Sequence, residues 1–340
     1  MASTDSVPPL KAPGSEPAPS DETGTDRDAV ISALGPSDLT DLVALSAASH
    51  WNQNADDWQW MLSAGRARGI RRHGQVIAST LVLPWPSKAH DPASRQNHTP
   101  LQSPVWISMV LVRPDHRGQG FARRLLQESL DWLDAPEQGH LIPVLDATPA
   151  GRAIYLQAGF QDCWTFTRWQ GHGSRASTGL ADHEWVIEDI AGSGDPAKKP
   201  SAFEAISSLD RLAFGADRRG LLSDLIARAP SLALQASQAN PHLSPPIGFV
   251  LARPGSRATQ IGPIVAQDAA TALALLSAAL ERVEGPVFID IPDHCAAMVA
   301  ALQAAGFSVQ RPFTRMLRGP AEGLPGDRAL TWAIAGPELG

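Results

Sequence analysis

Two stretches of the chain hold side chains whose types and spacing could do chemistry. The first is Arg117-Gly118-Gln119-Gly120-Phe121-Ala122-Arg123-Arg124. From Phe121 onward, Leu125, Leu126, Leu130 and Leu133 recur at helical spacing, which predicts a helix beginning near Gln119. The leading amides of a helix have no partner within it, and the macrodipole adds partial positive charge there. Gly118 and Gly120 let an anion approach the backbone, Ala122 keeps the next turn narrow, and three arginines add fixed charge. The stretch therefore reads as a phosphate site. It lacks the three-glycine spacing of a dinucleotide fingerprint and the Gly-Lys-Ser/Thr of a P-loop. The second stretch runs from Asp146 to Phe160. Thr148 as N-cap and Pro149 behind it start a helix, and Gly159 stops it. Tyr155, on that helix, is the only tyrosine in the chain.

Each stretch needs a strand to place it. Val105 to Val112 is an apolar run rich in β-branched and aromatic residues, a strand buried on both faces, and Pro114 ends it. His140 to Leu145 is a second apolar strand. Upstream, Val30 to Leu34 reads as a short strand, and Ser37 could cap a helix carrying Leu39, Leu42, Val43 and Leu45. Ala67–Arg72 and Val76–Leu83 form a hairpin about His73-Gly74. Residues 1–27 have the composition of a disordered tail, and Ser87 to Ser103 reads as a mobile loop.

The register Val112-x-Pro114-x-x-Arg117-x-x-Gly120-x-Ala122, behind a hydrophobic strand, resembles the acetyl-CoA loop of the Gcn5-related N-acetyltransferases (GNAT superfamily). Tyr155 four residues before Gly159-Phe160 resembles the second signature of the same family. The resemblance implies that Arg117, Gly118, Gln119, Gly120, Phe121, Ala122 and Arg123 hold the coenzyme pyrophosphate. It also implies a bulge that splays the preceding strand, so that the backbone of Val110, Leu111 and Val112 meets the pantetheine arm. Acetyl-CoA is then the co-substrate, a primary amine on a small molecule or peptide attacks the thioester directly, and no metal is needed. Tyr155 would be the general acid, because a phenol of parent pKa ~10 can protonate a thiolate of parent pKa ~8.5. Asp146, at a strand end, is the first candidate for the base. Asp56, Asp57, His50 and a water relay past Ser108 are alternatives. In this family residues between the first two helices commonly wall a substrate cleft, which puts Trp51, Asp56 and Asp57 at the acceptor and hints at a cationic amine.

Composition narrows the classes. With 28 basic and 35 acidic residues the formal charge is -7, which argues against a nucleic-acid surface. Two cysteines, Cys163 and Cys295, cannot build a disulfide framework or a zinc site. There is no apolar run of membrane-spanning length and no hydrophobic leader, so the expected place is the cytoplasm, with no membrane partner.

The second half echoes the first. Phe166-Thr167-Arg168 follows Gly159-Phe160 at the spacing by which Phe313-Thr314-Arg315 follows Gly306-Phe307, and Val144-Leu145-Asp146 is echoed by Phe288-Ile289-Asp290. The echo lacks the glycine loop, places Asp268 where phosphates would sit, and has Leu302 in the tyrosine slot. The expected organisation is α/β: a tail (1–27), an active domain (28–170), a linker (171–183) and a degenerate copy (184–340). Each domain would be a mixed, mostly antiparallel sheet flanked by helices, and the copy would shape the acceptor site or a homodimer. Leu209 to Arg219, dense in charge, reads either as part of a substrate pocket between the halves or as salt bridges on a helix pair. Two other classes compete with the enzyme: an acetyl-CoA-binding sensor that transfers nothing, and a scaffold that binds no phosphate.

Overall fold

Apolar runs that cannot be satisfied on one face dictate the architecture. The computed structural model describes residues 29–86, 103–173, 185–190, 199–238, 245–319 and 324–340. The expected tail, all of the expected Ser87–Ser103 loop but Ser103, which opens a strand, and most of the expected linker lie outside the described residues. In the first half the order is β1 (Ile31–Ala33), α1 (Leu39–Ala48), α2 (Ala55–Ala64), β2 (Arg66–Arg72), β3 (Gln75–Pro84), β4 (Ser103–Val112), α3 (Phe121–Leu133), β5 (Leu141–Ala147), α4 (Pro149–Gln157) and β6 (Gln161–Gly173). The second half runs β7 (Trp185–Asp189), α5 (Lys199–Phe214), α6 (Arg219–Arg228), β8 (Leu234–Gln238), β9 (Gly248–Arg253), β10 (Thr259–Ala266), α7 (Ala269–Arg282), β11 (Gly285–Pro292), α8 (Ala296–Ala304), β12 (Ser308–Leu317) and β13 (Thr331–Ala333). β6 carries on through Gly171–Gly173, into the expected linker. Ser37 falls inside a short 3-10 turn before α1 rather than at a cap.

The halves do not keep separate sheets. The strand order is β1-β2-β3-β4-β5-β12-β6-β11-β10-β9-β8-β7, with β13 on β10. β4–β5 and β10–β11 pair in parallel and the other pairs are antiparallel. β12, from the second half, sits between β5 and β6 of the first, while β6 pairs with β11 of the second.

This exchange explains the repeated Phe-Thr-Arg. Arg168 on β6 grips Asp290 on β11 through Nε and Nη2 at 2.8 and 2.7 Å. Arg315 on β12 grips Asp146 on β5 at 2.8 and 2.9 Å. Phe166 and Phe313 stack between them, centroids 5.0 Å apart and planes 7° off parallel. Each half thus supplies the arginine for the other's strand carboxylate.

Packing on the two faces is distinct. Val105 and Ile107 of β4 and Leu145 of β5 face Leu126, Leu130 and Leu133 of α3. Trp106 and Leu111 belong to the opposite core, with α1, α2 and α5. Phe121, Leu125, Leu126, Leu130 and Leu133 of α3 are buried, each worth ~1.5–3 kcal/mol relative to exposure. The sheet therefore fixes where α3 begins.

Candidate active site

β4 carries the feature that opens the site. Its pairing with β3 shifts register between Ser79 and Leu81, which face Leu111 and Ser108, so β4 holds one extra residue. Met109 takes up that residue at φ +50°, a conformation costly for a non-glycine residue. The Ser79 hydroxyl holds the Met109 carbonyl at 2.8 Å, both buried. β4 then pairs with β5 only from Ser103 to Trp106, against Leu141 to Val144. From Ile107 to Val112 no described residue pairs with the β5-facing edge, which leaves a wedge beside Val110, Leu111 and Val112.

The wedge leads to the glycine turn. Gly118 and Gly120 have φ of +77° and +80°, and a Cβ at either would meet nothing within 4 Å. Gly120 serves as N-cap, so α3 begins at Phe121, two residues later than the periodicity suggests, because its left-handed backbone turns the chain into the helix. The first helical bond is from the Arg124 N–H to the Gly120 carbonyl, 3.0 Å. No described residue accepts from the amides of Gly118, Gln119, Gly120, Phe121, Ala122 or Arg123. Arg117 is exposed, its Nε 3.3 Å from the Val112 carbonyl, and Arg123 reaches Gln157 of α4 at 2.9 Å. The acid of the loop, Asp115, is engaged by His116 and Arg113, which hold its carboxyl below the usual range. Amides with no acceptor among the described residues, open space above two glycines and two exposed arginines fit a diphosphate.

Tyr155 lies on α4, half-buried, its ring edge-on to Phe160 with centroids 6.2 Å apart. Burial pushes its phenol up to about 12, so the hydroxyl keeps its proton at neutral pH. The Thr148 hydroxyl caps α4 by accepting from the Gly151 N–H at 3.3 Å.

Asp146 departs from expectation. Its carboxylate is fully buried, and Arg315 occupies both oxygens. A base must receive a proton from an incoming amine, and this group offers no free face. Asp290 makes the same contact in the half without the loop, so the pair needs no catalytic explanation.

The expected acceptor residues also land elsewhere. Asp57 is buried between Arg228 and Arg253 of the second half at 2.9 and 2.6 Å, and accepts from the Asn54 N–H. Trp51 lies under the Arg311 guanidinium at 5.4 Å, so its cation partner is internal. Asp56 is exposed. Asn52 accepts from the Arg257 and Ala258 amides at 3.0 Å. This segment joins the halves.

A cavity of about 300 Å³ opens on the face of β4 away from α3. Trp106, Cys163, Trp164, Phe214, Arg218 and Arg315 line it. Arg315 is sandwiched between Trp106 and Trp164 at 4.5 and 4.4 Å. Arg218 pairs with Asp210 at 2.6 Å, so the charged Leu209–Arg219 stretch both forms a buried ion pair and reaches this cavity. The Ser108 hydroxyl, beside the bulge, is buried with no hydrogen-bond partner among the described residues. Sequence reasoning had no route to Ser79 or Met109. The repeated Phe-Thr-Arg was the available signal for Arg315.

Comparison with known proteins follows the same lines. Residues 72–162 match a family described as an acetyltransferase (GNAT) domain, and residues 206–329 match a second family of the same description. The uncharacterized N-acetyltransferase YitH of Bacillus subtilis is 24% identical over 201 residues, 59% of this chain and 65% of the relative. The chain thus spans just under two thirds of that relative's length. Among solved structures, a candidate acetyltransferase from Pyrococcus horikoshii superposes with TM-score 0.68 at 17% identity, over 94% of this chain and 98% of the other. A tandem GNAT protein from the clavulanic acid biosynthesis pathway gives 0.55 at 15%, over 86% and 99%. At these identities the structural likeness concerns the fold.

Proposed function

This chain belongs to the GNAT acetyltransferases, with two such domains in tandem, and from that premise we propose that its N-terminal half moves an acetyl group from acetyl-CoA to a primary amine by direct attack. The observation that carries the reading is the bulged, splayed β4 running into a turn of unpaired amides at α3. A wedge of free strand edge suits an amide-bearing arm, and the helix start suits its diphosphate. Acetyl-CoA is the co-substrate of the fold. The second half has no such turn, since the Asp268 carboxylate caps α7 by accepting from the Thr271 N–H at 2.8 Å.

In this reading a free amide among Val110, Leu111 and Val112 stabilises charge on the thioester oxygen. The amine nitrogen bonds the carbonyl carbon, the carbon–sulfur bond breaks, and the departing sulfur takes the Tyr155 proton, which solvent later replaces. The surplus proton on nitrogen leaves through water at the Ser108 hydroxyl. Asp146 holds Arg315 in place instead of acting as the base. A non-catalytic sensor would have no use for the lone tyrosine at this position, and we do not favour it. The test is thiol release from acetyl-CoA with a panel of amines, followed by a thiol reagent, with Tyr155→Phe as control. Amine-dependent release that falls in the variant supports the proposal, and release in neither protein refutes it.

A further inference from the structure

The two halves contain the same wedge and treat it differently. In the N-terminal half β4 leaves β5 after Trp106, and the gap stays open among the described residues. In the C-terminal half β10 pairs with β11 only from Thr259 to Ile261. Its pairing with β9 then shifts register between Ile261 and Ile264, as that of β4 with β3 does about Met109. Here the gap is filled. β13 lies antiparallel to β10, with Ala333 opposite Ile264 and Thr331 opposite Val265, and the Ile334 N–H donates to the Asp290 carbonyl of β11 at 3.1 Å. The Trp332 indole N–H donates to the Ala266 carbonyl at 2.9 Å. Ala333, Ile334 and Ala335 are buried, and a Cβ at Gly262 would collide with the Ile334 carbonyl.

A splayed pair of strands leaves backbone donors and acceptors that something must satisfy. The N-terminal half can meet that demand with a ligand. The C-terminal half, with an aspartate at its helix start, cannot hold a phosphate there and uses its own chain. From the wedge the segment continues toward the other half. Glu338 pairs with Arg253, and Arg218 donates to the Gly340 carbonyl at 2.6 Å. Gly340 packs against Trp106 of β4 and Phe214. Thr331, Ala333, Ile334 and Gly340 thereby wall the same cavity as Trp106 and Cys163.

We propose that residues 331–340 are a built-in strap: β13 takes in the second wedge the place that a coenzyme arm takes in the first, and so fixes one wall of the cavity beside Trp106, which we assign to the acceptor because it opens on the face of β4 away from α3. The strap stands on the strand pairing, and its selecting role rests on the acetyl-transfer reading.

The test uses the full chain and two variants. Gly262→Val drives a side chain into Ile334, and Trp332→Ala removes one tether while sparing the backbone. Native-state hydrogen exchange follows the amides of 331–340. Modification by N-ethylmaleimide, read by peptide mass, follows Cys163 in the cavity and Cys295, whose Sγ lies 3.6 Å from the Thr331 carbonyl. We expect core-like protection of the strap in the parent chain and release in at least one variant. Release should speed Cys163 modification by about tenfold or more, as local opening exposes the cavity. Calorimetry should find a single acetyl-CoA per chain. Unprotected strap amides in the parent, no release in either variant, release without faster Cys163 modification, or a second acetyl-CoA per chain would each overturn the strap. An unchanged preference among phenethylamine, spermidine and glycine on release would overturn its selecting role. Intact protection and Cys163 response with no acetyl-CoA binding would instead sink the acetyl-transfer reading and leave the strap standing.

Discussion

Replacing Asp146 by Asn separates a structural carboxylate from a catalytic one, because Asp290 supplies the internal control. Each aspartate accepts two charge-assisted bonds of 2.7–2.9 Å from one arginine, and each carboxylate is wholly buried. Asn keeps the shape but removes the charge and turns an acceptor into a donor facing a guanidinium. Breaking one side of a buried pair costs ~3–5 kcal/mol. At roughly 2–4 °C per kcal/mol for domains of 150–250 residues, Asp146→Asn and the control Asp290→Asn should each melt on the order of 10 °C below the parent. Thermal and denaturant unfolding followed by circular dichroism would measure this. The double replacement Asp146→Leu with Arg315→Met, which leaves no orphaned charge, should recover much of the loss. A melting point for Asp146→Asn within about 1 °C of the parent, alongside a ~100-fold loss of transfer rate, would refute the structural assignment and return Asp146 to the base's role.

Three further outcomes follow from the site. Tyr155→Phe should lower the rate of acetyl transfer by ~10²–10⁴ while leaving acetyl-CoA affinity intact, as separated by single-turnover kinetics and calorimetry. The raised Tyr155 pKa, about 12 when folded against 10.0 unperturbed, fixes the sign of a pH effect. Its contribution to stability is complete below pH 10 and is lost as pH rises through 12, so the parent should lose stability over that window more steeply than Tyr155→Phe in alkaline unfolding. Ser79→Ala removes the hydroxyl that holds the Met109 carbonyl, and should cost ~1–3 kcal/mol in denaturant unfolding while weakening acetyl-CoA binding more than distant substitutions of equal cost.

The glycine turn was legible in the sequence because its physics is local. Strand, proline, arginine, glycine and helix start lie within about twenty residues, and each type is chosen by backbone geometry or charge. Thr148 as cap and Gly159 as stop were legible for the same reason. The ion pair of Asp146 was hidden because its partner, Arg315, lies 169 residues away, and no local pattern says which strand will lie beside it. The repeated Phe-Thr-Arg pointed at duplication without revealing that the two copies trade strands, since exchange changes the partners and not the apolar pattern. The partners that Trp51 and Asp57 find, Arg311, Arg228 and Arg253, sit in the other half, where no local pattern points to them. The place of β13 on β10 depended on a wedge that only the bulged sheet reveals. Met109 and Ser79 gave no signal, because a bulge is a matter of register between two strands.

The central claim is that a diphosphate is held by unpaired amides where α3 begins. Titration calorimetry of the parent chain and Gly120→Glu with acetyl-CoA tests it most directly. A carboxylate introduced about 4 Å from a phosphate charge costs ~4 kcal/mol at an effective dielectric of 20, or roughly a thousandfold in affinity. The account predicts one site in the parent, weakened by added salt because Arg117 and Arg123 are exposed, and none measurable in Gly120→Glu. Equal affinity in the two proteins, or no heat with the parent, would contradict it.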